Sequence, residues 1–294
     1  MQNDQAIKKA VQEKYSEIAE QSATQNAESC CGATACCGDE VYNIMSEDYS
    51  QLEGYDSNAD LGLGCGLPTA FAQIKEGDTV IDLGSGAGND CFIARAAVGE
   101  KGKVIGIDFT EKMIGKARDN AEQLGYNNVE FRLGDIEQMP VTANKADVIV
   151  SNCVLNLVPN KKAVFQEIYR VLKPGGHFSI SDIVLEGELP EKWKAVAELY
   201  SGCVSGAVQE KEYLDIIDQA GFTNRILQKE KEIKIPEDIL LQYLDAGEIE
   251  TYKSGRVKIK SITVFAQKPV DVNAAEEKTI EVKAACCEPG SGCC

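Results

Sequence analysis

The chain has a single histidine, His177, in 294 residues, so histidine chemistry can occur at only one place. No apolar run approaches the roughly 18 residues that a membrane-spanning helix needs. Basic residues are outnumbered, 30 Lys and Arg against 47 Asp and Glu, giving a formal charge of −17. A surface of that sign repels phosphate backbones and anionic lipid, which argues against nucleic acid and membrane as partners. The N-terminal stretch MQNDQAIKKAVQEKYSEIAE lacks the apolar centre of an export signal and reads as an amphipathic helix, so a cytoplasmic location is expected. Two glycine signatures are also missing. Neither the GxGxxG of a dinucleotide site nor the GxxxxGK[ST] of a phosphate-chain site occurs after a strand.

What is present in quantity is cysteine, 12 residues. In a reducing compartment such a number points to ligands or redox groups rather than a disulfide frame. Apolar residues make up 44% of the chain, ample for a core and against global disorder.

The organising stretch is TVIDLGSGAGND, Thr79 to Asp90. An apolar run carrying Asp82 opens into Gly84-Ser85-Gly86-Ala87-Gly88, and a helical segment from Cys91 to Val98 follows. Glycines there let the backbone turn sharply and lie close to a ligand. A plain tight connection between strand and helix is the alternative. Beyond it, strand and helix periods alternate: strand Lys103 to Asp108, helix Glu111 to Leu124, strands Val129 to Leu133 and Ala146 to Ser151, and helix Lys161 to Leu172. Pro174-Gly175-Gly176 stops that helix, and His177 to Asp182 begins a fifth strand. The alternation implies a doubly wound parallel sheet, an α/β Rossmann-like domain.

Four regions are expected. Residues 1–69 hold an N-terminal helix over Gln5 to Ala23 and cysteine-containing loops. Residues 70–184 form the Rossmann-like domain. Residues 185–268 form a smaller α+β C-terminal domain, mainly helical over Trp193 to Gly221, with a helix near Glu237 to Ala246. Residues 269–294 read as a cysteine-rich flexible tail.

In such a sheet, ligands sit at the C-terminal strand ends. Asp82 and the glycine turn end the first strand. Asp108, 26 positions after Asp82, ends the second, where a carboxylate can accept both ribose hydroxyls. Asp135 and Ile136 follow the third, offering a carboxylate and an apolar contact for adenine. Asn152 and Cys153 end the fourth. A helix N-cap role is the simpler account of either Asp108 or Asp135 alone. As a set they favour an S-adenosylmethionine site, because a nicotinamide site requires GxGxxG.

His177 falls at the start of the fifth strand, the wrong end for catalysis, and is expected to be structural. Cys153 lies instead at the catalytic edge. A buried cysteine also serves as a small hydrophobe, but Cys65 in LGLGCG and Cys203 in YSGCVSGA stand among small residues too. Three thiols converging on a methyl donor suit a soft metalloid, because thiolate sulfur selects soft centres. Trivalent arsenic keeps a lone pair that can attack a sulfonium methyl with no proton to remove. The absence of a general base is then expected.

The segments DLGLGCGLP, VIDLGSGAGNDCFIA, VIGIDFTEKMIGKARDNA, NVEFRLGDIEQMP, SNCVLNL, VLKPGGHFSISDIV and GCVSGA resemble those of the arsenite methyltransferases. The resemblance runs from Cys36-Cys37-Gly38-Asp39 to about Phe222, and SNCVLNL and LGLGCG are specific to that family. It implies an enzyme of arsenic detoxification that methylates trivalent arsenic, as arsenite or its thiol conjugates, with S-adenosylmethionine. It implies Cys153 and Cys203 as arsenic ligands, with Cys65 as third thiol and redox partner of an N-terminal cysteine, Cys37 or the adjacent Cys36. The cofactor residues it implies are Asp82, Gly84, Gly86, Asp108, Met113, Asp135, Ile136 and Asn152. A reduced thiol, thioredoxin-type or glutathione, is expected to reset the redox pair, and a monomer is expected. Leu67 departs from the family, which usually has Asn after the GCG.

Cys30, Cys31, Cys36 and Cys37 also admit a zinc site, although adjacent pairs fit the usual C-x₂₋₄-C spacing poorly. Cys286, Cys287, Cys293 and Cys294 read either as clamps that capture arsenic or as an unselected tail. Cys91 reads as packing. The rival functions are methylation of another small molecule and a thiol-rich metalloid-binding protein.

Overall fold

The structure is a computed structural model describing residues 2–20, 47–188, 190, 204, 206–235, 240–241 and 244–270. Its centre is a seven-stranded sheet in the order β3-β2-β1-β4-β5-β7-β6. The strands are β1 (Thr79–Leu83), β2 (Lys103–Asp108), β3 (Val129–Leu133), β4 (Ala146–Asn152), β5 (Leu172–Glu186), β6 (Thr223–Ile233) and β7 (Lys258–Gln267). The first five run parallel, whereas β7 pairs antiparallel with β5 and β6 antiparallel with β7.

The helices are α1 (Gln2–Glu20), α2 (Pro68–Phe71), α3 (Asn89–Val98), α4 (Glu111–Gln123), α5 (Lys161–Val171), α6 (Glu210–Gln219) and α7 (Ala246–Lys253). Alternate strand residues divide between two apolar layers, as the period-two pleat requires. Ile81, Ile105 and Ile149 face Phe165, Ile168 and Tyr213 of α5 and α6. Val80, Val104 and Val148 face Phe92, Ala94 and Ala117 of α3 and α4. Burial on both faces explains why β1, β2 and β4 read as near-continuous apolar runs.

The chain leaves β1 outward to β2 and β3, then returns to β4 on the other side. The crevice therefore opens at the C-terminal ends of β1 and β4. The C-terminal region shares this sheet: β5 runs through the expected boundary at 184, and β6 and β7 extend the sheet beyond it. β5 also starts earlier than His177, because Gly175 and Gly176 are stitched to Lys268 by two backbone hydrogen bonds of 2.9 and 2.8 Å. Much of the expected helix over Glu237 to Ala246 lies outside the described residues. The described helix starts at Ala246, where Asp245 and Glu248 form a reciprocal capping box. Among the described residues no helix is long and apolar enough to cross a membrane.

Candidate active site

A cleft open to solvent lies over the switch point. Its wall contains all eight residues expected to meet the cofactor: Asp82, Gly84, Gly86, Asp108, Met113, Asp135, Ile136 and Asn152. Cys153 stands in the same wall.

The glycine turn is shaped by what a side chain would strike. Gly84 has φ +70°, and a Cβ there would lie 2.4 Å from the Val154 side chain. Gly86 has φ +50°, and its Cβ direction is open space within 4 Å, which leaves bare backbone toward the cleft. The Gly86 amide donates to Asp108 Oδ2 at 3.0 Å and the Thr110 amide to Oδ1 at 2.8 Å. Each carboxylate oxygen keeps capacity for a further donor. Asp108 is 8% exposed, and burial raises its pKa against those backbone donors.

Asp135 has two roles. Its Oδ1 accepts from the Glu137 amide at 2.9 Å, capping a short 3₁₀ turn over Ile136–Gln138. Its Oδ2 accepts from Lys8 Nζ at 2.6 Å. The simpler cap reading is therefore realised together with a place in the cleft. Lys8 belongs to α1, which lies along the rim: Gln12 Nε2 donates to the Phe109 carbonyl at 2.9 Å. Ile18 packs with Leu61, Ala87 and Met113.

The deepest part is acidic. Asp90 accepts from Thr69 Oγ1 at 3.1 Å, Asn152 Nδ2 at 3.2 Å and Tyr49 Oη at 3.3 Å. Burial lifts its pKa to about 6 while those donors pull it back. Asp82, 2% exposed, is raised well above the usual carboxylate range by burial and then by the charge of Asp90. Cys91 Sγ donates to Asp82 at 3.3 Å and is fully buried, with burial pushing its thiol pKa up. That is the packing role expected of it. Ser85 Oγ and Asn89 Oδ1 are buried in the cleft wall with no hydrogen-bond partner among the described residues. A bare glycine cradle, orphaned polar atoms and stacked carboxylates fit a polar, cationic ligand such as S-adenosylmethionine.

Asn152 links this cleft to the thiols. Its Nδ2 donates to Tyr49 Oη and, at 2.9 Å, to the Gly66 carbonyl, while its Oδ1 accepts from the Cys65 amide at 3.0 Å. The next residue, Cys153, sits at φ +60°, a left-handed conformation uncommon outside glycine. Its amide donates to the Ser181 carbonyl at 2.8 Å. The turned backbone brings Cys153 to Cys65, Cα atoms 5.7 Å apart, in a disulfide. The pair is buried among Ile183, Leu185, Val204 and Ile259. In this structure Cys65 is bonded to Cys153, not to Cys37 or Cys36, the expected redox partners, because the end of β4 delivers Cys153 against the 61–66 loop. Cys37 and Cys36 lie outside the described residues, as do Cys30, Cys31, Cys203, Cys286, Cys287, Cys293 and Cys294. Among the described residues no group of His, Cys, Asp and Glu is arranged to hold a metal ion.

His177 lies outside the cleft: Nε2 is 2.6 Å from the Ala72 carbonyl and the ring rests against Phe265. Leu67, the departure from the family pattern, stands at the N-cap of α2 and gives it no side-chain cap. Sequence reasoning missed Lys8, Tyr49, Ser85, Asn89 and Asp90. Asp90 carried a usable signal, a carboxylate in the first turn of the helix leaving the glycine loop.

A family model described as a methyltransferase domain matches residues 74–221. An arsenite methyltransferase of Halobacterium salinarum is 40% identical over 264 residues, covering 84% of this chain and 66% of that one. One of Aquipseudomonas alcaligenes is 31% identical, covering 80% and 67%. The crystal structure of an arsenic(III) S-adenosylmethionine methyltransferase from Chlamydomonas reinhardtii superposes with a TM-score of 0.59 at 33% identity, covering 71% and 68%. The chain spans about two thirds of the length of these relatives. With a seven-stranded sheet, a glycine-turn cleft and a cysteine pair at its edge, the chain belongs to the arsenite methyltransferase family of class I S-adenosylmethionine-dependent methyltransferases.

Proposed function

We propose that this chain methylates trivalent arsenic, taken as arsenite or a thiol conjugate, for arsenic detoxification in the cytoplasm. The observation that carries the reading is the Cys65–Cys153 pair beside an acidic cleft, with Asn152 touching both. Bound S-adenosylmethionine supplies a methyl group on a cationic sulfonium. Asp108 is suited to the ribose hydroxyls, Asp135 and Ile136 to the adenine, and Asp82, Asp90 and Asn152 to the charged end. Met113, Gly84 and Gly86 complete the cradle.

In the reduced protein, Cys65, Cys153 and Cys203 bind arsenic(III) as thiolates, and the arsenic lone pair is the nucleophile. No proton leaves it, so this step needs no general base. Methylation takes arsenic formally to the pentavalent state. Two thiolates joining as a disulfide return two electrons, and Cys65–Cys153 is the described pair placed to do so. A thioredoxin-type protein or glutathione then reopens the bond by thiol–disulfide exchange. Cys37 is assigned the relay from Cys65 outward, and Cys286, Cys287, Cys293 and Cys294 the capture of arsenic. The chain acts as a monomer.

The test is incubation of the full chain with arsenite, S-adenosylmethionine and reduced thiol, followed by speciation of arsenic, with Cys153→Ser alongside. Methylated arsenic is expected from the wild type and not from C153S. Equal product from both would refute the role of the thiol. Arsenite bound without turnover would favour a sequestering protein instead.

A further inference from the structure

Cys65 sits in a loop with no regular structure of its own, yet both polar backbone atoms of this residue have side-chain partners. Its amide donates to Asn152 Oδ1 at 3.0 Å, and its carbonyl accepts from Ser261 Oγ at 2.6 Å. One residue on, the Gly66 carbonyl accepts from Tyr49 Oη at 2.7 Å and from Asn152 Nδ2 at 2.9 Å. The flanking glycines let these partners close in. A Cβ on Gly64 would lie 2.6 Å from Asn152 Nδ2, and one on Gly66 would lie 2.5 Å from Ser181 Oγ. Ser261 and Tyr49 are both buried, so water does not compete for their hydroxyls.

Both cysteines hang from the same pair of strands. The Cys153 amide donates to the Ser181 carbonyl of β5 at 2.8 Å, and Ser261, which holds the Cys65 carbonyl, lies on β7. In the antiparallel register Ser261 stands opposite Ile183 and Thr263 opposite Ser181, the hydroxyls of the latter pair 2.9 Å apart. One strand pairing therefore spaces the two cysteine backbones without help from the bond between their sulfurs. We propose that Ser261 and Tyr49 are positioning residues for Cys65, holding its backbone so that its sulfur stays against Cys153 when the disulfide is open. For arsenic, this rests on the reading of Cys65 and Cys153 as its thiolate ligands. The added strand β7 then has a task at the site as well as in the sheet.

The physical case is one of effective concentration. Two sulfurs capture one metalloid, or close on each other, more readily when their separation is fixed beforehand. In the disulfide form the bond between the sulfurs fixes Cys65 whether or not the two hydroxyls are present. In the dithiol form the backbone hydrogen bonds take over that task. Removing one hydroxyl therefore costs the dithiol form an order that the disulfide form retains, and the released freedom favours the dithiol. Exchange with glutathione reads this directly. Two glutathione thiols join as one glutathione disulfide, and the protein pair takes up their two electrons and two protons.

The experiment equilibrates the full chain in glutathione buffers of stepped ratio, traps free thiols with iodoacetamide and reads each cysteine by peptide mass spectrometry. Wild type, Ser261→Ala, Ser261→Thr and Tyr49→Phe are compared. In S261A and in Y49F the Cys65–Cys153 equilibrium should shift about fivefold toward the dithiol, the net worth of one hydrogen bond. In the reduced chain Cys65 should alkylate about fivefold faster, while the fully buried Cys91 keeps its wild-type rate. S261T retains the hydroxyl and should behave as wild type. A bond that merely supports the fold stabilises both redox forms alike, so its loss would lower Tm and leave the glutathione equilibrium unmoved. If S261A does not melt cooperatively, Y49F carries the test, because its hydroxyl grips a different carbonyl. Wild-type equilibria and wild-type Cys65 alkylation in the folded variants would overturn the proposal, as would pairing of wild-type Cys65 with another cysteine. Calorimetric titration of the reduced chain with arsenite tests the reading beneath, and the affinity should fall about fivefold in both variants. A shifted glutathione equilibrium without arsenite binding by the wild type would overturn the arsenic assignment and leave the positioning role standing.

Discussion

Opening the Cys65–Cys153 bond should cost this fold much of its stability, and the amount follows from the loop it closes. The two cysteines are 88 positions apart. In the chain-entropy account, a loop of that length restrains the unfolded chain by about 4 to 5 kcal/mol. A domain of this size loses about 2 °C in Tm per kcal/mol, so reduction should lower Tm by about 9 °C. The assay is thermal unfolding by circular dichroism, with and without a phosphine reductant, free thiols being counted by alkylation. Cys65→Ser is the control: its Tm should sit near the reduced wild type and ignore the reductant. Adding arsenite to reduced wild type should recover part of the loss, because arsenic bridging the two thiols binds the folded arrangement in preference to the unfolded chain. A Tm change below about 2 °C, with both thiols shown to be free, would refute the reasoning, since so small an effect means the bond restrains little of the unfolded ensemble.

Gly84→Ala forces a methyl to within 2.4 Å of Val154 at φ +70°. Its affinity for S-adenosylmethionine should fall about tenfold or more by calorimetry, and wild-type affinity would count against the cradle. The folded-state pKa of Asp90, about 6, lies above the roughly 3.9 of an unfolded aspartate. The folded state therefore binds that proton more tightly, and stability should fall as pH rises from about 4 to about 6. Asp182, at about 7, extends the same trend upward. Asp90→Asn should flatten the lower part of that slope in urea denaturation at pH 5 and 7, and an identical slope would exclude Asp90 as its source. Lys8→Ala breaks ion pairs with Asp135 and Glu137 that are partly exposed, so global stability should change by about 1 kcal/mol or less. Hydrogen exchange over residues 4–20 should nonetheless quicken, and unchanged protection there would show that α1 is held by its apolar face alone.

The parts of the fold that were legible in the sequence are those governed by local pattern. β2 and β3 occur over the residues the sequence marked: β2 is buried on both faces and cannot hide its composition, while β3, a part-exposed edge strand, shows itself by alternating Val129, Phe131 and Leu133 with polar residues. Asp108 and Asp135 could be found because a parallel sheet places strand ends in one crevice. The order β5-β7-β6 could not be read, since an antiparallel hairpin added to a parallel sheet is decided by long-range pairing. Tyr49 was hidden for the same reason. It lies in a polar segment with no period, and only folding brings it to Asp90 and Asn152. Lys8 looked like any solvated charge on an amphipathic helix until docking of α1 aimed it at Asp135. The Cys65–Cys153 pairing depends on one left-handed residue, a feature of conformation that composition does not carry.

That left-handed residue also limits which other chemistries the site can host. At φ +60°, Asn, Asp and His are the side chains that tolerate the backbone best after glycine, whereas Thr, Val and Ile clash. Aspartate and histidine, the two acid–base groups on that short list, are groups that methyl transfer to a hydroxyl can use to remove its proton and that thiolate chemistry at arsenic does without. The backbone at position 153 is thus already compatible with a proton-abstracting methyltransferase. Repurposing the fold would begin with one substitution there, Cys153→Asp or Cys153→His, with the loop leaving β4 kept as it is.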